Sequence, residues 1–193
     1  MQRRRLFLAA AAVCARGGYA DLTAEAITRE AGMSKATFYE HFANKEECIL
    51  ALMDEATREV MQAMATATAT ASVRGDYRQH VRDQLGAFLR TLTEYPTTAQ
   101  TVLVEGVAAG PQAAERRDAM LAVFAESLLR DNARAAQREG APQFASRDDA
   151  FAVVGATVEL VSRHLRTGVP EDVLELQPVI ERVIFGLLGG GDS

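Results

Sequence analysis

The chain has 193 residues, of which 48% are hydrophobic and 24% are charged. This composition is typical of a folded globular protein and excludes an intrinsically disordered one. Its two cysteines are too few for a disulfide scaffold, and no apolar run approaches the roughly 20 residues that a bilayer span requires. Helix-forming residues dominate, and the first 95 residues contain no proline, which predicts an all-α fold.

The formal charge is unevenly distributed along the chain. Residues 1–45 carry seven basic and four acidic side chains, a net charge of +3, so the rest of this −5 chain carries −8. A basic segment at one end of an acidic protein indicates a polyanionic partner for that end.

Two interpretations fit residues 1–15. Three arginines followed by an apolar stretch are typical of a secretory signal. An amphipathic helix also explains the segment, because apolar residues occupy the i, i+3, i+4 and i+7 positions of one stripe, namely Leu6, Ala9, Ala10 and Val13. Gly17 and Gly18 would end such a helix, and the next thirty residues favour it.

Two short helices are predicted next. Thr23 is a good N-cap for the first of them, with Glu25 in its first turn, and Ser34 is a good N-cap for the second. Gly32 permits the tight turn between them. Two short helices joined by such a turn and packed on a first helix form a helix-turn-helix, whose second helix is expected in the DNA major groove.

The outward side chains of that recognition helix suit a DNA contact. Ala36 and Thr37 are small enough for the backbone to approach the duplex, and the Thr37 methyl group can touch a thymine methyl group. Lys35 can pair with guanine or with a phosphate. The only two lysines, Lys35 and Lys45, fall at predicted helix starts. A cation there interacts unfavourably with the helix dipole, so its presence supports a role in DNA contact.

The segment from Gly18 to Glu46 resembles the DNA-binding domain of the TetR family of transcriptional regulators. Three motifs carry the resemblance: an Ala-Gly-Met-Ser turn at 31–34, a Thr-Phe-Tyr-x-His-Phe helix at 37–42 and the Lys-Glu pair at 45–46. The sequence departs from the family at Leu22, which is often a threonine there, and this removes one possible phosphate-facing hydroxyl.

The resemblance implies a role for each matching residue. Phosphates would be held by the helix N-terminus at Thr23 and by the point charge of Lys45. Bases would be reached by Lys35 and Thr37, and backbone phosphates by Tyr39 and His41. The full DNA-binding set is Thr23, Ser34, Lys35, Ala36, Thr37, Tyr39, His41 and Lys45. His41 and the arginines at 3–5 could instead be solvated surface residues, and the terminal arginines could be disordered.

The remaining two thirds of the chain are predicted to be helical, for about nine helices in total. A short apolar helix is expected around 98–107. The other boundaries are expected at capping residues, glycines and prolines, namely Asn44, Gly75, Pro96, Pro111, Gly140, Ser146, Gly168, Pro178 and Gly189. We expect a helix-turn-helix domain at 1–45 and a helical effector-binding and dimerisation domain at 46–193.

The last two long helices are apolar on more than one face. Phe151, Val154 and Val158 lie on one stripe of the first, and Val153 and Leu160 widen it. A helix that is apolar nearly all round must be buried on both sides, so we expect a homodimer through these two helices. The resemblance implies the same, and a fully internal helix pair is the alternative.

The resemblance also implies an effector pocket inside the larger domain. A small molecule bound there would weaken DNA binding by changing the spacing of the two recognition helices of a dimer. The candidate lining residues are Met64, Phe88, Tyr95, Glu105, Phe124, Phe151, Glu159 and His164, each of which could instead be plain core or surface. Glu159 could pair with Arg163 one helical turn away.

Enzymatic motifs are missing from the sequence. The three histidines have no metal-ligand spacing, and there is neither a phosphate-binding glycine loop nor a nucleophile elbow. We therefore expect no enzyme, metal or cofactor, and no membrane partner. Cys14 and Cys48 are read as buried apolar residues rather than a redox sensor.

The sequence thus predicts a cytoplasmic, ligand-responsive transcriptional regulator. It would act as a homodimer on a pseudo-palindromic DNA operator, and we expect it to be a repressor. Two alternatives remain open: an exported helical protein with a cleaved N-terminal signal, and a helical small-molecule carrier or enzyme.

Overall fold

A computed structural model describes residues 1–70 and 76–188 of the chain. Within those residues it has nine α-helices and no β-strand, which confirms the all-α expectation. The helix breaks predicted at Gly75 and Gly189 lie outside the described residues. In chain order the helices are α1 (Gln2–Gly17), α2 (Ala24–Ala31), α3 (Lys35–His41), α4 (Lys45–Thr70), α5 (Tyr77–Glu94), α6 (Pro96–Gln100), α7 (Pro111–Glu139), α8 (Arg147–Thr167) and α9 (Gln177–Leu187).

The short apolar helix expected around 98–107 is irregular. Helix α6 begins earlier, with Pro96 in its first turn, where the missing N–H costs nothing. It continues as a π-turn over Thr101–Glu105 and a 3-10 turn over Gly106–Ala109. A methyl group at Gly106 would lie 2.9 Å from the Thr101 carbonyl oxygen, so only glycine fits this close turn.

The described residues pack as two compact units. The first comprises Met1–Arg58 and Glu94–Asp118, and the second comprises the described residues within Glu59–Thr93 and Ala119–Ser193. Helices α4 and α7 contribute residues to both units. The functional boundary expected after residue 45 stays a prediction.

The core of the first unit is built on α1. Its predicted inner stripe, Leu6, Ala9, Ala10 and Val13, is buried. Phe42 packs between two other rings, with centroids 5.6 Å from that of Phe7 and 5.6 Å from that of Phe38. The Thr101 hydroxyl, which is fully buried, donates a hydrogen bond to the Ala11 carbonyl oxygen at 3.1 Å. These contacts fix the scaffold on which α2 and α3 stand.

The second unit contains α5, α8, α9 and the larger part of α7. Ser146 and Asp149 form the predicted capping box at the start of α8, and Gly168 ends that helix in the left-handed conformation. Val154 and Val158 of the predicted stripe are buried, but Phe151 is 40% exposed. None of the helices in the described part of the chain has both the length and the hydropathy of a bilayer span.

Candidate nucleic-acid interface

Helices α2 and α3 form a helix-turn-helix whose caps are the predicted ones. The Thr23 hydroxyl oxygen accepts a hydrogen bond from the Ala26 N–H at 3.0 Å. The Ser34 hydroxyl oxygen accepts one from the Thr37 N–H at 3.1 Å. Between the helices Gly32 adopts φ 61°, a left-handed conformation that glycine reaches without strain. Local sequence signals therefore fix the start of both helices and the turn between them.

Two of the amino-terminal arginines make contacts within the protein. The Arg5 guanidinium donates a hydrogen bond to the Ala31 carbonyl oxygen at 2.7 Å, which places a cation at the C-terminus of α2. The Arg3 guanidinium lies 5.3 Å from the ring centroid of Phe7 and 5.7 Å from that of Phe42. Sequence reasoning missed the contacts with Ala31 and Phe42, because each joins α1 to a residue far away in the chain.

Helix α3 buries one face and exposes the other. Phe38 is fully buried, whereas Lys35, Ala36 and Glu40 are exposed. Tyr39 is 58% exposed, and its ring stands edge-on to that of Phe38 at a centroid distance of 5.4 Å. The exposed face carries most of the side chains proposed to reach DNA, while Thr37 and His41 are half-buried at its margin.

Several of these side chains have partners within the protein. The Lys35 ammonium donates to a Glu25 carboxylate oxygen at 2.8 Å, and the His41 Nε2 lies 3.3 Å from the Gln2 side-chain oxygen. The bond and charge of Glu25 raise the pKa of Lys35, and those of Lys35 lower the pKa of Glu25. The ion pair with Glu25 is therefore an intramolecular explanation for a lysine at the start of α3, independent of DNA.

Lys45 begins α4 and is held against Tyr19. Its ammonium lies 4.4 Å from the Tyr19 ring centroid and donates to the Tyr19 carbonyl oxygen at 3.4 Å. The Tyr19 hydroxyl in turn donates to a Glu46 carboxylate oxygen at 2.9 Å. Burial, followed by the bond to Glu46, raises the pKa of Tyr19 to about 12. This arrangement orders a half-buried cation next to the helix-turn-helix.

Comparison with known proteins agrees with this geometry. Residues 6–52 match the family model of bacterial regulatory proteins, tetR family. The amino-terminal domain is therefore of the TetR type. The resemblance expected from the sequence is confirmed, and with it the assignment to DNA-binding transcription regulation.

Solved structures share the fold along nearly the whole chain. The fatty acid degradation regulator FadR from Bacillus halodurans is 17% identical, with 99% of this chain and 96% of that chain covered and a TM-score of 0.84. FadR from Bacillus subtilis in complex with stearoyl-CoA is 16% identical, with 94% and 96% covered and a TM-score of 0.80. The TetR-family regulator PfmR from Thermus thermophilus is 21% identical, with 98% of each chain covered and a TM-score of 0.70. No curated protein sequence matches the chain.

The effector candidates fall in both compact units. In the first unit, Tyr95 is half-buried, and a Glu105 carboxylate oxygen accepts from the Gln100 side-chain amide at 3.2 Å. In the second unit, the rings of Phe88 and Phe124 meet at a centroid distance of 6.4 Å, which is the one ring contact between two of these candidates within the described residues. Met64 is half-buried on α4.

The polar candidates on α8 have other partners. The exposed Glu159 pairs with Arg166 at 2.8 Å, rather than with Arg163 as the helical spacing suggested. Nδ1 of His164 lies 2.8 Å from the Pro170 carbonyl oxygen, so this histidine fixes the turn after α8. Both contacts are explained by local structure.

Two polar groups that the sequence did not single out are largely shielded from solvent. The Arg117 Nε is buried and has no hydrogen-bond partner among the described residues. Asp131 of α7 accepts from the Gln84 amide at 2.8 Å and lies 3.3 Å from the His80 Nε2. Burial raises the pKa of Asp131, but the nearby His80 imidazole and the hydrogen bond from Gln84 outweigh it and hold that pKa below its ordinary value.

Both cysteines are buried free thiols in the first unit. Burial raises the pKa of Cys14 to about 11 and that of Cys48 to about 12. Buried thiols with raised pKa values are poor nucleophiles. Across residues 1–70 and 76–188, no three histidine, cysteine or carboxylate side chains are grouped so that they could hold a metal ion.

Proposed function

We propose that this TetR-family regulator is a ligand-responsive repressor that binds a pseudo-palindromic operator as a homodimer. The observation that carries the DNA-binding half of the proposal is the exposed face of α3, with Lys35, Ala36 and Tyr39 outward and Phe38 locked in the core. Repression follows from occupancy of the operator, and no catalytic step is needed. The proposed division of labour is DNA binding by residues 1–45 and effector binding and dimerisation by residues 46–193.

The DNA contacts fall into two classes. Lys35, Ala36 and Thr37, in the first turn of α3, are proposed to meet base edges, since the first turn of a recognition helix lies deepest in the major groove. Phosphates are proposed to be held by the remaining polar residues and by the capped helix starts, namely Thr23, Ser34, Tyr39, His41 and Lys45. The first class would set the preferred sequence, and the second would set affinity and its dependence on salt.

The homodimer is proposed to form through α8 and α9. Phe151 on α8 is 40% exposed and Leu187 on α9 is 36% exposed. Small residues stand near Phe151 on α8, and a methyl group added at Gly155 would meet nothing within 4 Å. An exposed apolar side chain beside small residues favours close packing of a second copy. Such a dimer would present its two recognition helices about 34–36 Å apart, one turn of DNA.

The effector is proposed to be a small organic molecule with an anionic group. The solved complex of Bacillus subtilis FadR contains stearoyl-CoA, which makes long-chain acyl-CoA the first class to test. Arg117, whose buried Nε lacks a partner among the described residues, is a candidate cation for the anionic part of such a ligand.

Selection of bound duplexes from a random DNA pool tests the DNA-binding proposal. We expect a two-fold symmetric site with half-site centres about 10 base pairs apart or a multiple of this, and affinity that falls steeply as salt rises. Binding to no sequence at any salt concentration would favour the carrier or enzyme alternative. A native N-terminus near Arg16 would favour the exported one.

Addition of stearoyl-CoA to the selected complex tests the effector proposal. A coupling of about 1–3 kcal/mol would weaken DNA binding roughly 5- to 150-fold. A complex that acyl-CoA leaves unchanged would remove this ligand class while leaving the DNA-binding proposal in place.

A further inference from the structure

Glu25 holds the one cation at the start of the recognition helix. Its carboxylate oxygen lies 2.8 Å from the Lys35 ammonium, and the two side chains are 66% and 57% exposed. Glu25 is the second residue of α2 and Lys35 is the first of α3, so the ion pair joins the two helices of the motif. Lys35 therefore has a competing partner before any DNA arrives.

The position of this carboxylate affects more than Lys35. Glu25 lies in the first turn of α2, where the helix dipole stabilises a negative charge. The same helix start, capped by Thr23, is where a DNA phosphate is proposed to bind. A phosphate that approaches there meets a fixed negative charge, and Lys35 must leave Glu25 before it can neutralise that phosphate.

An exposed ion pair of this kind is weak, so DNA can displace Glu25 from Lys35. Surface pairs contribute at most about 1 kcal/mol, so a guanine edge that offers Lys35 two acceptors can displace Glu25. A phosphate reached on arbitrary DNA offers a single point-charge contact and gains less from the exchange. The Glu25 carboxylate thus competes more effectively with a phosphate for Lys35 than with a matched guanine. It therefore weakens sequence-independent contacts more than sequence-specific ones.

We propose that Glu25 is a specificity-determining residue, which occupies Lys35 on unmatched DNA and so suppresses sequence-independent binding. The inference rests on the proposed function, since it requires α3 to meet DNA. A second pair on α2 provides an internal comparison: Arg16 lies 2.6 Å from Glu30 at the opposite end of the helix, and neither residue is a proposed DNA contact.

The test measures binding of full-length Glu25→Gln and wild type to a duplex of arbitrary sequence across a salt series. We expect the variant to bind about three- to tenfold more tightly at low salt. The slope of log affinity against log salt should steepen by about 0.9, the value for one added phosphate contact on B-DNA. Affinity for the selected operator should rise less, so the ratio of specific to non-specific affinity should fall.

Glu30→Gln is the matched control, because it removes the same charge from the same helix. It should leave the salt slope unchanged. An equal gain in Glu30→Gln would show that net charge alone is responsible and would overturn the proposal. A Glu25→Gln variant with unchanged or weaker affinity for arbitrary DNA would overturn it as well.

A double mutant separates release of Lys35 from simple repulsion by Glu25. In a Lys35→Gln background, Glu25→Gln should no longer steepen the salt slope, because no ammonium is left to release. A slope change that persists there would contradict the mechanism. Failure of wild type to bind any duplex would instead count against the proposed function, so the two failures are distinguishable.

Discussion

The recognition helix and the carboxyl-terminal helices expose surfaces of opposite character. Helix α3 keeps Phe38 fully buried and presents Lys35 and Glu40 to solvent, whereas α8 leaves Phe151 40% exposed. A polar face is satisfied by water until a polyanion replaces it, but an exposed aromatic ring gains only when another apolar surface covers it. The proposed function assigns the polar surface of α3 to nucleic acid and the exposed ring of α8 to a second copy of the chain.

The two regions also differ in how their structure is specified. The caps and the glycine turn of α2 and α3 act over short stretches of chain, and the family model matches residues 6–52, which include both helices. Helices α8 and α9 each carry several apolar side chains, and whether those side chains are covered depends on what packs against each helix. The predictions below test this contrast between the helix-turn-helix, which local signals specify, and helices α8 and α9, which depend on packing.

The largest effect on stability is expected from removing a core side chain of the helix-turn-helix. Phe38→Ala should lower the free energy of unfolding by about 3–5 kcal/mol, because a fully buried ring leaves a cavity. Urea unfolding monitored by thiol labelling measures this in the first unit, which holds both cysteines. Leu8→Ala, in the same unit but 45% exposed, is the control and should cost well under half as much. Equal losses would mean that α3 is not seated as described.

A large residue on the proposed dimer face should act on assembly instead. Gly155→Leu meets open space in the single chain and improves helix propensity, so the isolated subunit should remain folded. In a dimer packed through α8 the added side chain would clash, and sedimentation should show monomers. Loss of the second half-site contact should weaken operator binding by about 100-fold or more.

A matched variant makes the dimer prediction specific. Arg138→Leu adds the same side chain at an exposed position near the end of α7, which is not one of the two proposed interface helices. It should leave the dimer intact. Dimers in both variants would show that α8 does not form the interface.

Base preference should depend on Thr37. Thr37→Ser keeps the hydroxyl that lies 3.0 Å from the Ser34 hydroxyl oxygen and removes only the methyl group. If that methyl contacts thymine, selection from random DNA should show relaxed preference at one position of each half-site, by roughly 1–3 kcal/mol. Thr37→Val, which keeps a methyl, should retain it. An unchanged preference in Thr37→Ser would refute the base-contact role.

Removal of the Lys45 charge should have a smaller and uniform effect. Lys45→Ala should weaken binding to all sequences alike and flatten the salt slope by about one unit, since one phosphate contact is lost. Lys45→Arg keeps the charge and should keep the slope. Tyr39→Phe should likewise weaken binding without changing the preferred bases. If Lys45→Ala changed only the sequence preference, the phosphate role would be wrong.

The smallest effect is expected from the thiols at alkaline pH. Their pKa values, about 11 and 12 when folded, exceed the ordinary value of about 9. The stability that their burial contributes is therefore complete below pH 9 and is lost as pH rises toward 11–12, because only the unfolded chain ionises in that window. Alkylation of native protein at pH 8 should be negligible and should become complete in urea. Rapid native labelling would contradict the buried placement.

Much of the recognition module could be predicted because its signals are short-range. Thr23, Ser34 and Gly32 occupy the expected cap and turn positions. Asn44 caps α4 as expected, since its side-chain oxygen accepts from the Glu47 N–H at 2.8 Å. The DNA contacts assigned to these residues stay predictions, as do the effector contacts.

Contacts between distant segments could not be read in this way. The sequence places Lys35 at a helix start without revealing that Glu25 lies within hydrogen-bond distance. It places Arg5 in a basic tail without revealing the Ala31 carbonyl oxygen that it caps. Even within α8, Glu159 pairs with Arg166, seven residues along, and not with Arg163, four residues along. Each of these long side chains could reach several partners, and the packing of the fold selects one of them.

The sequence by itself determined the all-α class, the family of the amino-terminal domain and the capped helix-turn-helix, because propensity, capping and turn chemistry act within a few residues. Only the tertiary structure decided which cations are already paired, which apolar side chains stay uncovered and where α6 gives way to a π-turn. Those outcomes depend on distances between segments that are remote in the chain. Such distances are set by how whole helices pack against one another and not by the residues on either side.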